Sequence, residues 1–181
     1  PQTVRAMVSG LLHPDWAFFF ETDARGLGYL LLETVCIALA GTCLGVVLAV
    51  PLSFLGTARL VPKPIALLFR VAVMLIRSVP FLIYGLIFIR VTGPGAFTGV
   101  LTLCVCSVGL LSKRFTEAIE ALDFRAYHAL GAMGVPLLLR IRYAVLPQLL
   151  PAFASAVLYR FDVNIREASV LGLVGAGGIG A

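Results

Sequence analysis

Arg77, Arg160 and Arg166 are the side chains in this sequence best placed to do chemistry, because each stands in or beside a run of Leu, Ile, Val and Phe. A guanidinium offers planar, fixed donors that match tetrahedral oxyanions. Several of them along one apolar route could attract an anion. The competing role is structural. A cation at mid-bilayer costs at least about 2.5 kcal/mol on insertion scales, and snorkelling to the surface or pairing with an acid relieves that cost. Acids are at hand: Asp162 and Arg166 are four apart and can pair along a helix, and Glu167 follows directly. Arg70 shares a helix face with Arg77, seven residues on, and stands where it can anchor one end of its run. Glu33 reads as interfacial.

Other reactive types point elsewhere. Cys36, Cys43, Cys104 and Cys106 all lie inside apolar runs, and Cys104-x-Cys106 has no His or carboxylate nearby. They read as reduced small hydrophobes, not metal ligands. Histidine is the side-chain type suited to a charge switch, but a plain surface role suits His128 better. Gly175, Gly177 and Gly180 form G-x-G-x-x-G behind a strand-like VLGLV. That pattern binds dinucleotides only inside a βαβ unit with an acid about 20 residues on. Here the glycines suit close approach of membrane segments instead. No G-x-x-x-x-G-K-[ST] loop occurs, so ATP is not bound through that motif.

The elements that carry these residues are lipid-soluble. Of 181 residues 60% are hydrophobic and 13% charged, against about 25% charged in soluble domains, and the mean hydropathy is +1.03. A bilayer requires every backbone polar group to be paired within the segment, and runs this apolar lack the alternation of a membrane barrel. The expectation is an all-α polytopic membrane protein. Its net charge of +5 lies between apolar runs, where it sets topology, and nucleic acid is not an expected partner. Residues 1–25 read as an aqueous or interfacial lead-in with Trp16 and Phe18 to Phe20 at headgroup level, and 26–181 as the membrane domain.

The first span covers residues 26–58, uncharged for 25 residues from Thr34 to Ala58, more than the roughly 20 needed to cross. Gly41, Gly45 and Ala49 recur every fourth residue, a face suited to close helix packing. Arg59 and Lys63 make a short basic turn, which the positive-inside rule places in the cytoplasm. Residues 64–90 return outward, TGPGAFTG turns, and 91–112 cross back.

A polar interruption then runs from Lys113 to Pro147, with eight charged residues. Phe115, Ile119 and Leu122 fit one face of a short helix. Asp123 is a plausible N-cap for a second helix ending near Gly134. Pro147 starts the next span, which reaches Tyr159-Arg160 and meets RFDVNIRE. A charged helical loop between membrane spans faces water, and its length suits gripping a partner.

Within that loop Ala129, Gly134, Val145, Leu146 and Pro147 fall on the spacing E-A-A-x3-G-x9-I-x-L-P. The loop resembles that of permease subunits of bacterial ABC importers, with His128 where the family has Glu, Leu130 for the second Ala and Ala144 for Ile. The segments ETVCIALAGTCLGVVLAVPL, IRSVPFLIYGLIFIRVTGPGAFTGVL, SKRFTEAIEALD and LPQLLPAFASAVLYRFDVNIREASVLGLVGAGGIG extend the likeness over residues 28–181 and narrow it to the phosphonate ABC transporter permease family. Departures are Phe81 where an acid is usual, Asp162 where Glu is usual, and Glu167.

The resemblance implies a MetI-like transmembrane bundle, here a fragment lacking an outer helix at each end. It further implies a coupling loop at 113–147, with Tyr127, His128, Ala129, Gly131, Gly134, Leu146 and Pro147 docking into a cytoplasmic ABC ATPase. That partner would hold ATP and Mg, with no cofactor on this chain, which would be no enzyme. A second permease copy and a periplasmic phosphonate-binding protein would complete a transporter in the bacterial inner membrane. Arg77, Arg160 and Arg166 would be candidate pathway residues. A permease for another small solute, such as methionine, or a non-transporting fragment stays open at this point.

Overall fold

In a computed structural model the described residues, 27–58 and 61–178, are helices joined by short turns. The lead-in 1–25, Arg59 of the basic turn and Gly180 of the glycine motif lie outside them. The order is α1 (Leu27–Gly56), α2 (Lys63–Ser78), α3 (Phe81–Thr92), α4 (Ala96–Glu120), α5 (Arg125–Ala132), α6 (Leu137–Arg140), a π turn (Ile141–Val145) and α7 (Leu146–Gly172). Among the described residues three helical segments are long and apolar enough to span a membrane, and four if the bent pair α2–α3 is one span. The fold is an all-α, multi-pass membrane bundle.

The small-residue stripe organises it. A Cβ on Gly41 would lie 2.7 Å from Leu103 Cβ, and one on Gly45 2.5 Å from Ser107 Cβ. Ala49 is fully buried, and its carbonyl faces Ser112. Contacts therefore advance along both chains together, and α1 and α4 run parallel at backbone-to-backbone distance. Van der Waals contact of this kind drives helix association where lipid supplies no hydrophobic force. Buried hydroxyls on the two helices stay satisfied by their own backbones: Thr42 donates to Ala38 O, Thr57 to Ser53 O and Thr102 to Thr98 O.

Parallel α1 and α4 require one net return between them, and α2 with α3 makes it. The segment expected to cross over 64–90 is not one straight helix: the chain bends by 84° between α2 and α3. Pro80 has no N–H to continue a helix and disfavours helical geometry at the residue before it. Val79 is accordingly extended, at φ −90°, ψ 125°. Tyr84 Oη donates to Ile76 O across the break at 3.0 Å, which occupies one carbonyl that the interrupted ladder frees.

α7 runs antiparallel to α4. Phe153 stacks on Phe115 with ring centroids 4.0 Å apart, Asn164 meets Ser107, and a Cβ on Gly99 would touch Ala176 O at 2.7 Å. Two sequence boundaries shift. Phe115 and Ile119 are buried on the last turns of α4, not on a separate loop helix. RFDVNIRE does not follow the last span but lies inside α7. The segment VLGLV is the end of α7 and a turn, not a strand, which removes the βαβ setting from the glycine motif. The glycines fold over the ends of α1 and α4 instead. Gly177 and Gly178 have φ of +81° and +85°, and a Cβ on them would meet Ala96 N at 2.8 Å and Thr34 Oγ1 at 2.6 Å.

Candidate functional site: a projecting hairpin and the charges of α7

Beyond Glu120 the chain leaves the bundle as a helical hairpin, α5 and α6. No residue of either helix is buried. Asp123 accepts the N–H of Arg125 on its carboxylate at 2.9 Å, although the residue at the N-cap position itself is Phe124. The reversal falls at Gly134, with φ +75°, a conformation that costs an L side chain but not glycine. Its N–H donates to Gly131 O at 3.0 Å, and that of Val135 to Leu130 O at 3.1 Å.

Arg140 closes the hairpin from within. Its Nε donates to Val135 O at 2.6 Å, its guanidinium lies 5.7 Å from the centre of the Tyr127 ring, and a Cβ on Gly131 would collide with Nη1 at 2.9 Å. Tyr127 in turn packs edge-on against His128. Tyr127, His128 and Gly131 thus share α5, and Gly134 turns the chain just beyond it. Ala129 lies exposed on α5. The outward surface is apolar: Met133, Leu137 and Leu138 are 70%, 57% and 80% exposed.

Leu146 and Pro147 sit where the hairpin joins the span. The sequence places a helix start at Pro147. In the structure the helix already begins at Leu137 and runs without a gap to Gly172, 36 residues in all, or roughly 54 Å at 1.5 Å per residue. That exceeds a hydrocarbon core of about 30 Å, so its first turns project with α5. Pro147 lacks the N–H that would bind Tyr143, and its ring would press on that carbonyl. The preceding turn is widened to π geometry at Ile141–Val145, a common answer to such strain.

Gln148 fastens this joint, and sequence reasoning missed it. Its side-chain amide accepts Asp123 N–H at 3.1 Å and donates to Asp123 O at 3.1 Å and Ala144 O at 2.6 Å. A glutamine after a proline carries no sequence signal for that role. Gln148→Leu should speed hydrogen exchange at Asp123 and the start of α5 about five- to tenfold, the effect of a hydrogen bond worth about 1 kcal/mol, with α1 and α4 unchanged. Unaltered exchange there would show that the joint does not need the clip.

The three candidate arginines are not gathered into one site. Arg160 is 3% exposed. Its Nε donates to Ser107 Oγ at 3.0 Å, and Nη2 to Glu167 Oε2 at 2.8 Å. Asn164, fully buried, donates to Thr42 Oγ1 at 2.7 Å and Ser107 Oγ at 2.9 Å. Arg160, Glu167, Asn164, Ser107 and Thr42 therefore form one network at mid-height between α1, α4 and α7. Arg166 points the other way, exposed and ion-paired with Asp162. Arg77 lies on α2, its Cγ against Gly109. Arg70 anchors: its Nε donates to Gly56 O at 2.8 Å, and it pairs with Glu120.

The cysteines are free, and the described residues hold no group of His, Cys, Asp and Glu able to bind a metal.

Residues 41–181 match the family described as binding-protein-dependent transport system inner membrane component. The phosphite transport system permease protein PtxC of Stutzerimonas stutzeri is 41% identical over 151 residues, 83% of this chain and 55% of that one. The phosphate-import permease protein PhnE of Mycolicibacterium smegmatis is 38% identical over 159 residues, 87% of this chain and 30% of that one. The chain thus spans about half or less of these relatives. Among solved structures, an inward-facing MetNI methionine ABC transporter superposes with a TM-score of 0.73 at 23% identity, over 85% of this chain and 76% of that one. An amino acid ABC transporter gives 0.68 at 21%, over 82% and 72%. At such identities the likeness speaks for the fold alone.

Proposed function

Since the chain belongs to the family of binding-protein-dependent transport system inner membrane components, we propose that it is the membrane subunit of an ATP-driven importer that moves a phosphonate or related phosphorus oxyanion into the cytoplasm. A cytoplasmic ABC ATPase would hold ATP and Mg, a periplasmic binding protein would deliver the cargo, and a second permease copy would complete the path in a bacterial inner membrane. The relatives named for phosphite and phosphate transport favour this cargo class. The methionine transporter supports only the fold and gives no reason to prefer that solute.

One observation carries the transport reading. The face of α7 that bears Asp162 and Arg166 is exposed at the height where Asn164 meets the middles of α1 and α4. Lipid cannot cover charges at that depth cheaply. A wetted path or a second copy relieves the cost, and a path lined by Arg166 suits an anion. The hairpin supplies the drive. It is apolar on its outer side and continuous with α7, so a force on α5 and α6 reaches the charged face along one helix. ATP binding on the partner would favour one of two bundle arrangements, and ADP release the other.

Gly134→Pro tests the lever. Proline holds φ near −65° and cannot take +75°, nor can it donate to Gly131 O. The variant should lose copurification with the ATPase while the bundle stays monodisperse in detergent. Gly134→Asn, which tolerates the left-handed region, should keep it. An ATPase retained by the Pro variant would remove the hairpin as its dock.

A further inference from the structure

We propose that the cavity between α2 and α4 is a binding site for a tetrahedral phosphorus oxyanion, entered from the hairpin end of the bundle. Two facing stripes build it. On α4, Lys113, Thr116 and Glu120 follow one another at three- and four-residue steps, and on α2 Val73, Met74 and Arg77 stand three, four and seven residues after Arg70. Between them lies a cavity of about 550 Å³ lined by both stripes.

Its charges are unequal. Arg70, Arg77 and Lys113 line it with Glu117 and Glu120. Glu120 is taken by Arg70, whose Nε is also engaged by Gly56 O. Glu117 is shared at 3.6 Å by Lys113 and at 3.9 Å by Arg114, so one carboxylate answers two cations. Arg77 has no acidic partner among the described residues. Its stem is held flat against α4, since a Cβ on Gly109 would stand 2.9 Å from Arg77 Cγ. Side chains on a helix lean toward its N-terminus, which on α2 is the hairpin end, and Lys113 lines the same cavity one turn along α4 from Gly109.

Arg77 is exposed where the cavity opens, and an unanswered guanidinium on a membrane-embedded helix is costly. A phosphate-type oxyanion would answer it, accepting a planar pair of N–H donors from Arg77 and the point charge of Lys113. Two sources share this chemistry: the phosphodiester of an anionic lipid, whose chains would lie on Phe69, Val73 and Met74, and a free phosphorus oxyanion. The site deepens the transport reading only in the second case. In the first it holds whatever the chain transports.

The test measures binding directly. The full chain is placed in phosphatidylcholine nanodiscs and titrated with radiolabelled inorganic phosphate, and in parallel is purified from mixed membranes to count retained phosphatidylglycerol by native mass spectrometry. Saturable phosphate binding, or a retained phosphatidylglycerol, that weakens about tenfold or more in both Arg77→Gln and Lys113→Gln supports the site and identifies its source. Arg90→Gln, at the far end of α3, should change neither. Lys113 is on the exposed end of α4, so its variant reads the site even where Arg77→Gln fails to assemble. Wild-type binding of neither probe, or binding unchanged in the Lys113 variant, overturns the proposal. ATPase copurification is scored on the same samples, so this failure is distinct from failure of the transport reading.

Discussion

Gly45→Leu should yield no monodisperse bundle in detergent. Position 45 leaves no room even for a methyl group, because a Cβ there would stand 2.5 Å from Ser107 Cβ. The neighbour is attached directly to the α4 backbone and cannot swing aside. Any larger side chain must separate α1 from α4, and the separation would break more than van der Waals contact. Ser107 Oγ receives both Arg160 and Asn164, and Thr42, one turn from Gly45, receives Asn164 as well. Pulling the helices apart strips partners from a guanidinium and an amide that no water reaches. Gly45→Ala should fold but melt earlier, by about 1–3 kcal/mol of overpacking. Ser107→Gly should not restore it fully, since that change clears the collision but also deletes the hydroxyl. Size-exclusion profiles and thermal unfolding measure both, and a Gly45→Leu protein with the wild-type profile would show that the stripe is not the packing face.

The same stripe explains how much of the architecture could be read from sequence. Gly41, Gly45 and Ala49 show their four-residue spacing without reference to any partner, and lipid-soluble composition leaves helices as the only spanning form. The direction of each crossing followed from a few cations, and the parallel pair α1 and α4 agrees with it. The turn at Gly134 was legible because a positive φ restricts the residue type. What stayed hidden depends on partners distant in sequence. Pro80 announces a break but not its 84° angle, which is set by where α2 and α3 pack on α4. RFDVNIRE looks too polar to continue a membrane helix, and it does continue because Arg160 finds Glu167 and Ser107, and Arg166 finds Asp162. Gln148 binds a backbone 25 residues earlier. In each case the signal lies in a tertiary contact that no local pattern encodes.

Glu167→Gln should destabilise the bundle by several kcal/mol, toward the lower end of the roughly 3–5 kcal/mol seen when one member of a buried ion pair is removed. The lower end applies because the Glu167 side chain keeps 19% of its surface, whereas that of Arg160 keeps 4%. That difference also predicts an asymmetry. Glu167→Gln leaves without a countercharge a guanidinium that cannot reach water, answered only by neutral acceptors, Ser107 Oγ and the new amide oxygen. Removing Arg160, as in Arg160→Met, strands a carboxylate near an opening, where hydration or protonation can relieve it. Arg160→Met should therefore cost less than Glu167→Gln although it deletes the larger side chain. The double variant Arg160→Met/Glu167→Met should recover much of the loss, because no buried charge remains to be answered. Thermal unfolding of the four proteins in one detergent forms a double-mutant cycle that isolates the pair. Equal costs for the two single variants, with no recovery in the double, would mean that the pair acts through packing alone. An importer in which Arg160 touched the cargo would behave differently again: Arg160→Lys would assemble normally and lose uptake, whereas a purely structural Arg160 predicts that assembly and uptake decline together.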